Sequence, residues 1–289
     1  MTHYQVVHRT RYRYDAPVSS SYGQSCLLPR DFATQRCVGS QLVITPEPED
    51  QRERIDFYGN RVSYFKVDRG HTELEIVATS TVNVLPERGV LPLEAEMLLR
   101  DVPVALDGDV DAVHYLLDSQ RAVVDDRVRA FAAECFDPDA SILAGVSNLV
   151  RKIHSSFEFD AEATTVTSTL DDLFEHRAGV CQDFAHLAVA ALRSQGLPAR
   201  YVSGYLETIP PPGKPKLVGA DVSHAWASVM VPGAGWIDLD PTNDQFVDER
   251  YVTTGWGRDY GDVPPLKGVI YSESSKTRLS VSVDVTRQD

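Results

Sequence analysis

The sequence lacks several features that would place a protein in a class at once. Its 289 residues include no apolar run near the roughly 18 residues that a membrane-spanning helix needs. No apolar block follows the basic residues near the N-terminus, so we expect no secretory signal and a cytoplasmic protein. With 18 Gly, 17 Pro and 43% hydrophobic residues, the composition excludes collagen-like and wholly disordered chains.

Cysteine is scarce as well. The four cysteines lie far apart in the sequence: Cys26, Cys37, Cys135 and Cys181. None forms a C-x-x-C pair, so their spacing indicates neither a zinc ribbon nor a redox dithiol. Without a secretory signal, free thiols are the expectation. The sequence therefore predicts no metal site and no cofactor.

Basic residues are outnumbered, since 28 Lys and Arg against 42 Asp and Glu give a net charge of −14. A surface of this sign repels phosphate backbones. The densest basic stretch, formed by Arg9, Arg11 and Arg13, alternates along a predicted strand and is interpreted as one solvated face of a sheet. We therefore expect no nucleic-acid partner, and the lack of a long apolar run predicts no membrane partner.

The chain divides near residue 90, where the hydrophobic period changes. Residues 1–85 alternate between apolar and polar positions, as half-buried strands do. Gly59-Asn60 separates two such runs and is typical of a tight hairpin turn. The predicted strands cover residues 4–14, 41–45, 55–58, 61–67 and 74–85. They indicate an antiparallel, β-sandwich-like N-terminal domain.

Residues 86–105 are interpreted as a linker punctuated by prolines, and residues 106–289 as a second domain. Apolar residues at three- and four-residue spacings predict helices over 110–117, 125–136, 141–153 and 180–195. Strands are predicted over 199–206, 224–231, 236–239 and 279–285, with the proline-rich segment 210–216 as a surface excursion. Helices followed by antiparallel strands indicate an α+β fold.

Cys181 lies in the first turn of the most regular of the predicted helices. The first turn of a helix carries exposed N–H donors and about half a positive charge, and both favour a nucleophilic thiolate. Cys181 also continues the apolar stripe of Phe184 and Ala188 backwards, so it should face the sheet. The alternative is a small buried core residue, which is what a free cysteine usually is.

His224 is the best-placed candidate base for this thiol. His186 is nearer in sequence, but five residues along a helix place it about 140° around the axis from Cys181. His224 opens a strand that follows the helix, and a cysteine at a helix tip facing a histidine on a sheet suits nucleophilic catalysis.

Asp238 and Asp240 are both candidates to orient His224, because they project from the same face of the next strand. A hairpin turn centred at 233–234 would place His224 opposite Asn243, three residues from Asp240 and five from Asp238. At ~3.4 Å per residue the separations are about 10 and 17 Å, so a bulge or an asymmetric loop must close the gap. Asp240 is favoured. Its alternative role is that of a turn-forming Asp ahead of a proline.

Four blocks in this order resemble the bacterial transglutaminase-like superfamily: GVCQDFAHL (179–187), GLPARYVSGYL (196–206), SHAWASV (223–229) and GWIDLDPTN (235–243). Residues 1–85 are similar to the β-rich region that precedes this catalytic domain in bacterial members. The resemblance implies a papain- or transglutaminase-like core, with a central helix packed on an antiparallel sheet. It makes Cys181 the nucleophile, His224 the base and Asp240 the orienting acid. Ser228 departs from the pattern, since many relatives carry Glu there.

The function expected is therefore cysteine-dependent acyl transfer or hydrolysis on a carboxamide or peptide bond, through a thioester. The partner is then a protein, peptide or small carboxamide substrate. Tyr205 and Trp226 are candidates to line an acyl pocket, with aromatic packing as the alternative. A non-catalytic binding or scaffolding module that retains the fold is the alternative function, and self-association into a homo-oligomer is left open.

Overall fold

A computed structural model describes residues 1–92, 96–165, 167–208, 222–273 and 276–288. The strands are β1 (Thr2–Ser25), β2 (Gln35–Thr45), β3 (Asp50–Ile55), β4 (Arg61–Val67), β5 (His71–Val84), β6 (Glu158–Phe159), β7 (Ala178–Gly179), β8 (Ala199–Leu206), β9 (Val222–Val231), β10 (Gly235–Asp240), β11 (Gln245–Phe246), β12 (Tyr251–Gly257), β13 (Leu266–Ser272) and β14 (Thr277–Gln288). The helices are α1 (Val102–Ala105), α2 (Val110–His114), α3 (Asp126–Ala133), α4 (Ile142–Ser156), α5 (Leu170–His176) and α6 (Cys181–Ser194).

The N-terminal sheet is built on β1, a strand of 24 residues. Its first part pairs with β5 on one side and with β14 on the other. A register shift between Arg13 and Val18 separates a second part, which pairs with β4 and β13. The main path of the sheet is β2-β5-β1-β4-β3, and its pairings are antiparallel. The sheet curls around an apolar core that includes Val18, Phe65 and Ile76.

The last two strands return to this N-terminal sheet. Residues 266–272 pair with the second part of β1, and residues 277–288 pair with the first part. The sequence interpretation assigned both segments to the second domain, because the alternation of a strand does not reveal its partner. The N-terminal sheet therefore contains both ends of the chain.

The second sheet has the order β11-β10-β9-β8-β12 and carries α6 on one face. Ala225 and Ala227 of β9 and Leu239 of β10 share a buried core with the apolar side of α6. The helix is buried on nearly every side, because α3, α4 and α5 also pack against it. This is the predicted α+β core, with a central helix packed on an antiparallel sheet.

The two sheets meet in a small apolar core. Tyr4 and Val285 from the N-terminal sheet pack there against Tyr205 and Val252 from the second sheet. In the part of the chain that the structure describes, no helix is long and apolar enough to cross a bilayer. The predicted excursion at 210–216 lies outside the described residues.

Candidate active site

Cys181 is the first residue of α6, one residue after the predicted start of this helix. Val180 precedes it in an extended conformation and forms the N-cap. The cysteine is free, is partly exposed and packs at the edge of the core under the helix. The N–H groups of a first helical turn point their positive ends towards this position. Cys181 therefore lies at the positive end of the helix dipole.

The start of α6 is held in place by Asp183. Its carboxylate accepts the backbone N–H of Val180 at 2.9 Å and the hydroxyl of Thr164 at 2.7 Å. A Cβ at Gly179 would lie 2.9 Å from a carboxylate oxygen of Asp183 and 3.0 Å from a methyl carbon of Leu173. Glycine at residue 179 thus lets the chain approach closely enough to begin the helix at this point.

His224 and Asp240 share one face of the β9–β10 hairpin. In the observed register, continuation of the strand pairs sets His224 opposite Thr242, whereas the predicted register set it opposite Asn243. The prediction was wrong by one residue. Asp240 is consequently a diagonal neighbour of His224, and such neighbours lie within reach of long side chains. No bulge between the two strands is needed to bring them together.

The carboxylate of Asp240 is fully buried and is the centre of a hydrogen-bond network. One oxygen accepts bonds at 2.7 Å from His224 Nε2, from the hydroxyl of Tyr251 and from the amide of Asn243. The other oxygen accepts the backbone N–H of Thr242 at 2.9 Å. Asp240 therefore bonds to His224 and also forms the turn that is its alternative role.

The charges in this cluster favour a protonated His224. Burial alone lowers the pKa of its imidazole, but the Asp240 carboxylate and the neighbouring Cys181 thiol outweigh burial and raise that pKa from 6.5 to about 10. Burial likewise opposes ionisation of Asp240, yet the His224 charge and the surrounding donors lower its pKa. Because Nε2 bonds to Asp240, Nδ1 is the ring nitrogen left for the sulfur of Cys181.

Trp226 and Tyr251 support this network from beneath. The Trp226 ring is completely buried and meets the edge of Tyr251 at a centroid distance of 5.3 Å. It also lies 6.2 Å from the ring of His224. This placement is that of a packing residue, which was the alternative considered for Trp226, and a side chain without exposed surface does not form the wall of an open acyl pocket.

Tyr205 lies away from the site. Gly204 pairs with His224, so the next residue of β8 points to the opposite face of the sheet. Its hydroxyl donates to the carbonyl of Leu27 at 3.2 Å, and its ring meets that of His8 at 5.6 Å. The predicted substrate-lining role is corrected accordingly, since Tyr205 packs between the two sheets.

His186 and Asp238, the alternatives to His224 and Asp240, have other hydrogen-bond partners. His186 is buried, and its Nε2 accepts the backbone N–H of Tyr260 at 3.2 Å. Burial lowers the pKa of His186 to about 3, so this imidazole is neutral at pH 7. Asp238 bonds to Arg88 at 3.3 Å instead of to His224. Among the described residues, no three His, Cys, Asp or Glu side chains are grouped so as to hold a metal ion.

Sequence reasoning missed Tyr251 and Asn243. The signal for Asn243 was available, because an Asp followed by Pro, Thr and Asn predicts a turn whose amides bond to the Asp side chain. For Tyr251 no local spacing gives such a signal. It reaches Asp240 only because β12 joins the far edge of the sheet, next to β8.

Comparisons with known proteins agree with this architecture. Residues 4–83 match the family model of the bacterial transglutaminase-like N-terminal region, and residues 129–241 match that of the transglutaminase-like superfamily. An uncharacterised protein of Mycobacterium tuberculosis strain H37Rv is 44% identical, over 98% of this chain and 92% of its own length. One from Mycobacterium leprae is 33% identical, over 98% of each chain.

The chain is more distantly similar to two proteins whose names state an activity. A protein-glutamine gamma-glutamyltransferase of Pseudomonas aeruginosa is 35% identical over 120 residues, which are 40% of this chain and 18% of the enzyme. A crystal structure described as "a Putative Cysteine Protease from Cytophaga hutchinsonii" has 22% identity and a TM-score of 0.76, covering 98% of this chain and 90% of that one. The two family-model matches, over residues 4–83 and 129–241, show that this chain belongs to the bacterial transglutaminase-like superfamily.

Proposed function

We propose that this protein is a cysteine-dependent acyl-transfer enzyme that acts on a carboxamide or peptide bond. Cys181 is the nucleophile, His224 the general base and acid, and Asp240 the residue that orients His224. The observation that carries the proposal is the chain of contacts from the helix-tip thiol through His224 to the buried Asp240, whose carboxylate lies 2.7 Å from Nε2. Membership of the superfamily supports it.

The first half of the reaction forms a thioester. The Cys181 thiolate attacks the substrate carbonyl carbon, so that a C–S bond forms while the carbonyl π electrons move to oxygen. The N–H groups of the first turn of α6 are suited to stabilise that oxyanion. As the oxyanion collapses, the C–N bond breaks, and the departing amine takes a proton from His224 Nδ1. Asp240 holds the ring in place throughout.

The second half releases the acyl group. Water or a primary amine gives its proton to His224 and attacks the thioester carbon, and the C–S bond breaks to return the thiolate. Water yields a carboxylic acid, as in a protease or an amidase. An amine yields a new amide, as in a transglutaminase. Both outcomes use the same three residues, and the choice depends on which nucleophile reaches the thioester.

A direct test is to trap the acyl-enzyme. Glutamine-containing peptides and small carboxamides are incubated with the protein, with and without a primary amine, and followed by intact mass and product analysis. Cys181 should carry the acyl adduct, and Cys181→Ala should abolish it. Cys37→Ala is the matched control, because Cys37 is also free and partly exposed. It should leave the adduct unchanged.

The non-catalytic alternative predicts a different result. A binding module would hold a peptide without forming an adduct and without releasing ammonia or amine. An adduct that forms on Cys37 but not on Cys181 would contradict the assignment of the nucleophile. Release of free acid without added amine identifies a hydrolase, whereas product amide in its presence identifies an acyltransferase.

A further inference from the structure

A cavity of about 650 Å³ lies at the junction of the two sheets, on the face of β10 that carries Asp238. Loop residues after β1, the segment that follows β5 and the β9–β10 turn all contribute to its wall. Neither Cys181, His224 nor Asp240 lines it. Its volume is in the range of sites that bind small molecules.

Arg88 projects into this cavity with part of its guanidinium unused. Its side chain is only 3% exposed. Nη2 donates to Thr253 at 2.8 Å and to Asp238 at 3.3 Å. Nε and Nη1 are buried and have no hydrogen-bond partner among the described residues. A buried donor without a hydrogen-bond partner costs free energy. Two such donors on the guanidinium of Arg88 therefore indicate that a ligand with acceptor atoms binds beside it.

Arg200 presents a second buried guanidinium to the same cavity. It is held between two aromatic rings, with its central carbon 4.1 Å from the centroid of Trp236 and 3.7 Å from that of Trp256. Its Nε is also buried and without a partner in the described part of the chain. Burial is the main cause that lowers the pKa of Arg200 to about 10, and the charge of Arg88 acts in the same direction.

Two buried guanidinium groups line the cavity, and neither carboxylate of the wall is buried. Arg88 and Arg200 contribute two positive charges, and Asp238, whose side chain is 17% exposed, contributes one negative charge. Glu87 also lines the cavity, but it is exposed to water. A buried cation without a counter-charge is unfavourable, and an anion would remove that cost.

Most of the remaining wall is aromatic or aliphatic. Phe32 lies under the guanidinium of Arg88 at 5.1 Å, and Val90, Leu91 and Ile237 add apolar surface. An inorganic anion would make no apolar contact with this part of the wall. We propose that the cavity binds a small carboxylate with an apolar or aromatic body, whose carboxylate bonds to Arg88 and Arg200 and whose body lies on the aromatic wall. Planar guanidinium groups match the two oxygens of a carboxylate.

Phenylacetate is a suitable probe, and benzyl alcohol is its uncharged counterpart. Two of the three tryptophans of the protein line the cavity, so binding can be followed by intrinsic fluorescence and by the rise in melting temperature. Phenylacetate should bind saturably and stabilise the wild-type protein. Benzyl alcohol and inorganic phosphate should bind at least tenfold more weakly, since each lacks one of the two recognised features.

Arg88→Met keeps the length and apolar stem of the side chain and removes the charge. It should weaken phenylacetate binding about tenfold or more, whereas Arg52→Met, on the exposed strand β3, should leave it unchanged. Should Arg88→Met fail to fold, a wild-type crystal soaked in phenylacetate gives the answer instead. Electron density for the carboxylate between Arg88 and Arg200 supports the site.

Three results would overturn the proposal. They are water alone in the soaked cavity, equal binding of phenylacetate and benzyl alcohol, and unchanged affinity in folded Arg88→Met. None of them bears on the acyl-enzyme experiment, because neither Cys181, His224 nor Asp240 lines the cavity.

Discussion

At the scale of single residues, the carboxylate of Asp240 has two structural roles. It fixes the turn that ends β10 through the backbone of Thr242, and it fixes the imidazole of His224 through Nε2. Its carboxylate is fully buried, so its charge depends on the donors around it. Any loss among those donors should weaken both the fold and the position of His224.

Tyr251→Phe tests this dependence, because it removes a hydroxyl 2.7 Å from the Asp240 carboxylate and keeps the ring. A hydrogen bond to a charged group contributes about 1.5–3 kcal/mol, and we expect a loss of unfolding free energy in that range. Urea denaturation measures it. Tyr22→Phe, on a partly exposed side chain, is the control and should change stability little. Equal unfolding free energies for Tyr251→Phe and the wild type would show that the hydrogen bond from Tyr251 to Asp240 does not stabilise the fold.

His224 should make stability depend on pH in a definite direction. Its folded-state pKa is raised to about 10 from an ordinary 6.5, so its contribution is complete below about pH 6.5 and is lost as pH rises towards 10. The difference in unfolding free energy between the wild type and His224→Gln should therefore shrink across this interval, as followed by denaturation at several pH values. A difference that stays constant from pH 6 to pH 10 would contradict the protonated imidazole.

At the scale of the elements, the start of α6 and the β9–β10 hairpin determine the site. The helix could be predicted to within one residue at each end, because its apolar stripe is regular and Gly196 follows its end. The hairpin could be predicted as an element, but its register differed by one residue. The turn residues Gly233 and Gly235 both have positive φ, and several turn types accept such a pair of glycines, so sequence alone did not decide between them.

Gly179→Ala tests how closely the start of α6 is constrained. The added Cβ would approach Asp183 to 2.9 Å and Leu173 to 3.0 Å, so the first turn must shift. We expect a loss of about 1–3 kcal/mol in unfolding free energy, together with slower alkylation of Cys181. Gly39→Ala is the matched control, because a Cβ there meets nothing within 4 Å. If alkylation is as fast in Gly179→Ala as in Gly39→Ala, the helix start is not a constraint on the thiol.

At the scale of the whole molecule, the arrangement of the sheets could not be predicted from local patterns. The alternation along 279–285 predicts a strand, and β14 is one, but pairing with β1 depends on which partner strand the folded chain brings close. The same limit explains the wrong prediction for Tyr205. Its position on one face of β8 follows from the strand register, but local sequence does not show that the N-terminal sheet covers that face.

Val283→Ala tests the shared core of the two sheets. Val283 is buried in the cluster that also holds Tyr205 and Val252, so its truncation should cost about 1–3 kcal/mol of unfolding free energy. Val281→Ala, two residues earlier in β14 and 50% exposed, should cost less than about 0.5 kcal/mol. Thermal and urea unfolding of both variants give the comparison. Equal costs at the two positions would show that β14 is not held by this core.

In the proposed site, His224 activates the thiol of Cys181. Limiting iodoacetamide at neutral pH, with the alkylated peptides quantified by mass spectrometry, compares Cys181 with Cys37, the other partly exposed thiol. In the wild type Cys181 should react first and roughly tenfold or more faster, and in His224→Gln its rate should fall to that of Cys37 or below. Faster labelling of Cys37 in the wild type, or a Cys181 rate that His224→Gln leaves unchanged, would contradict the account.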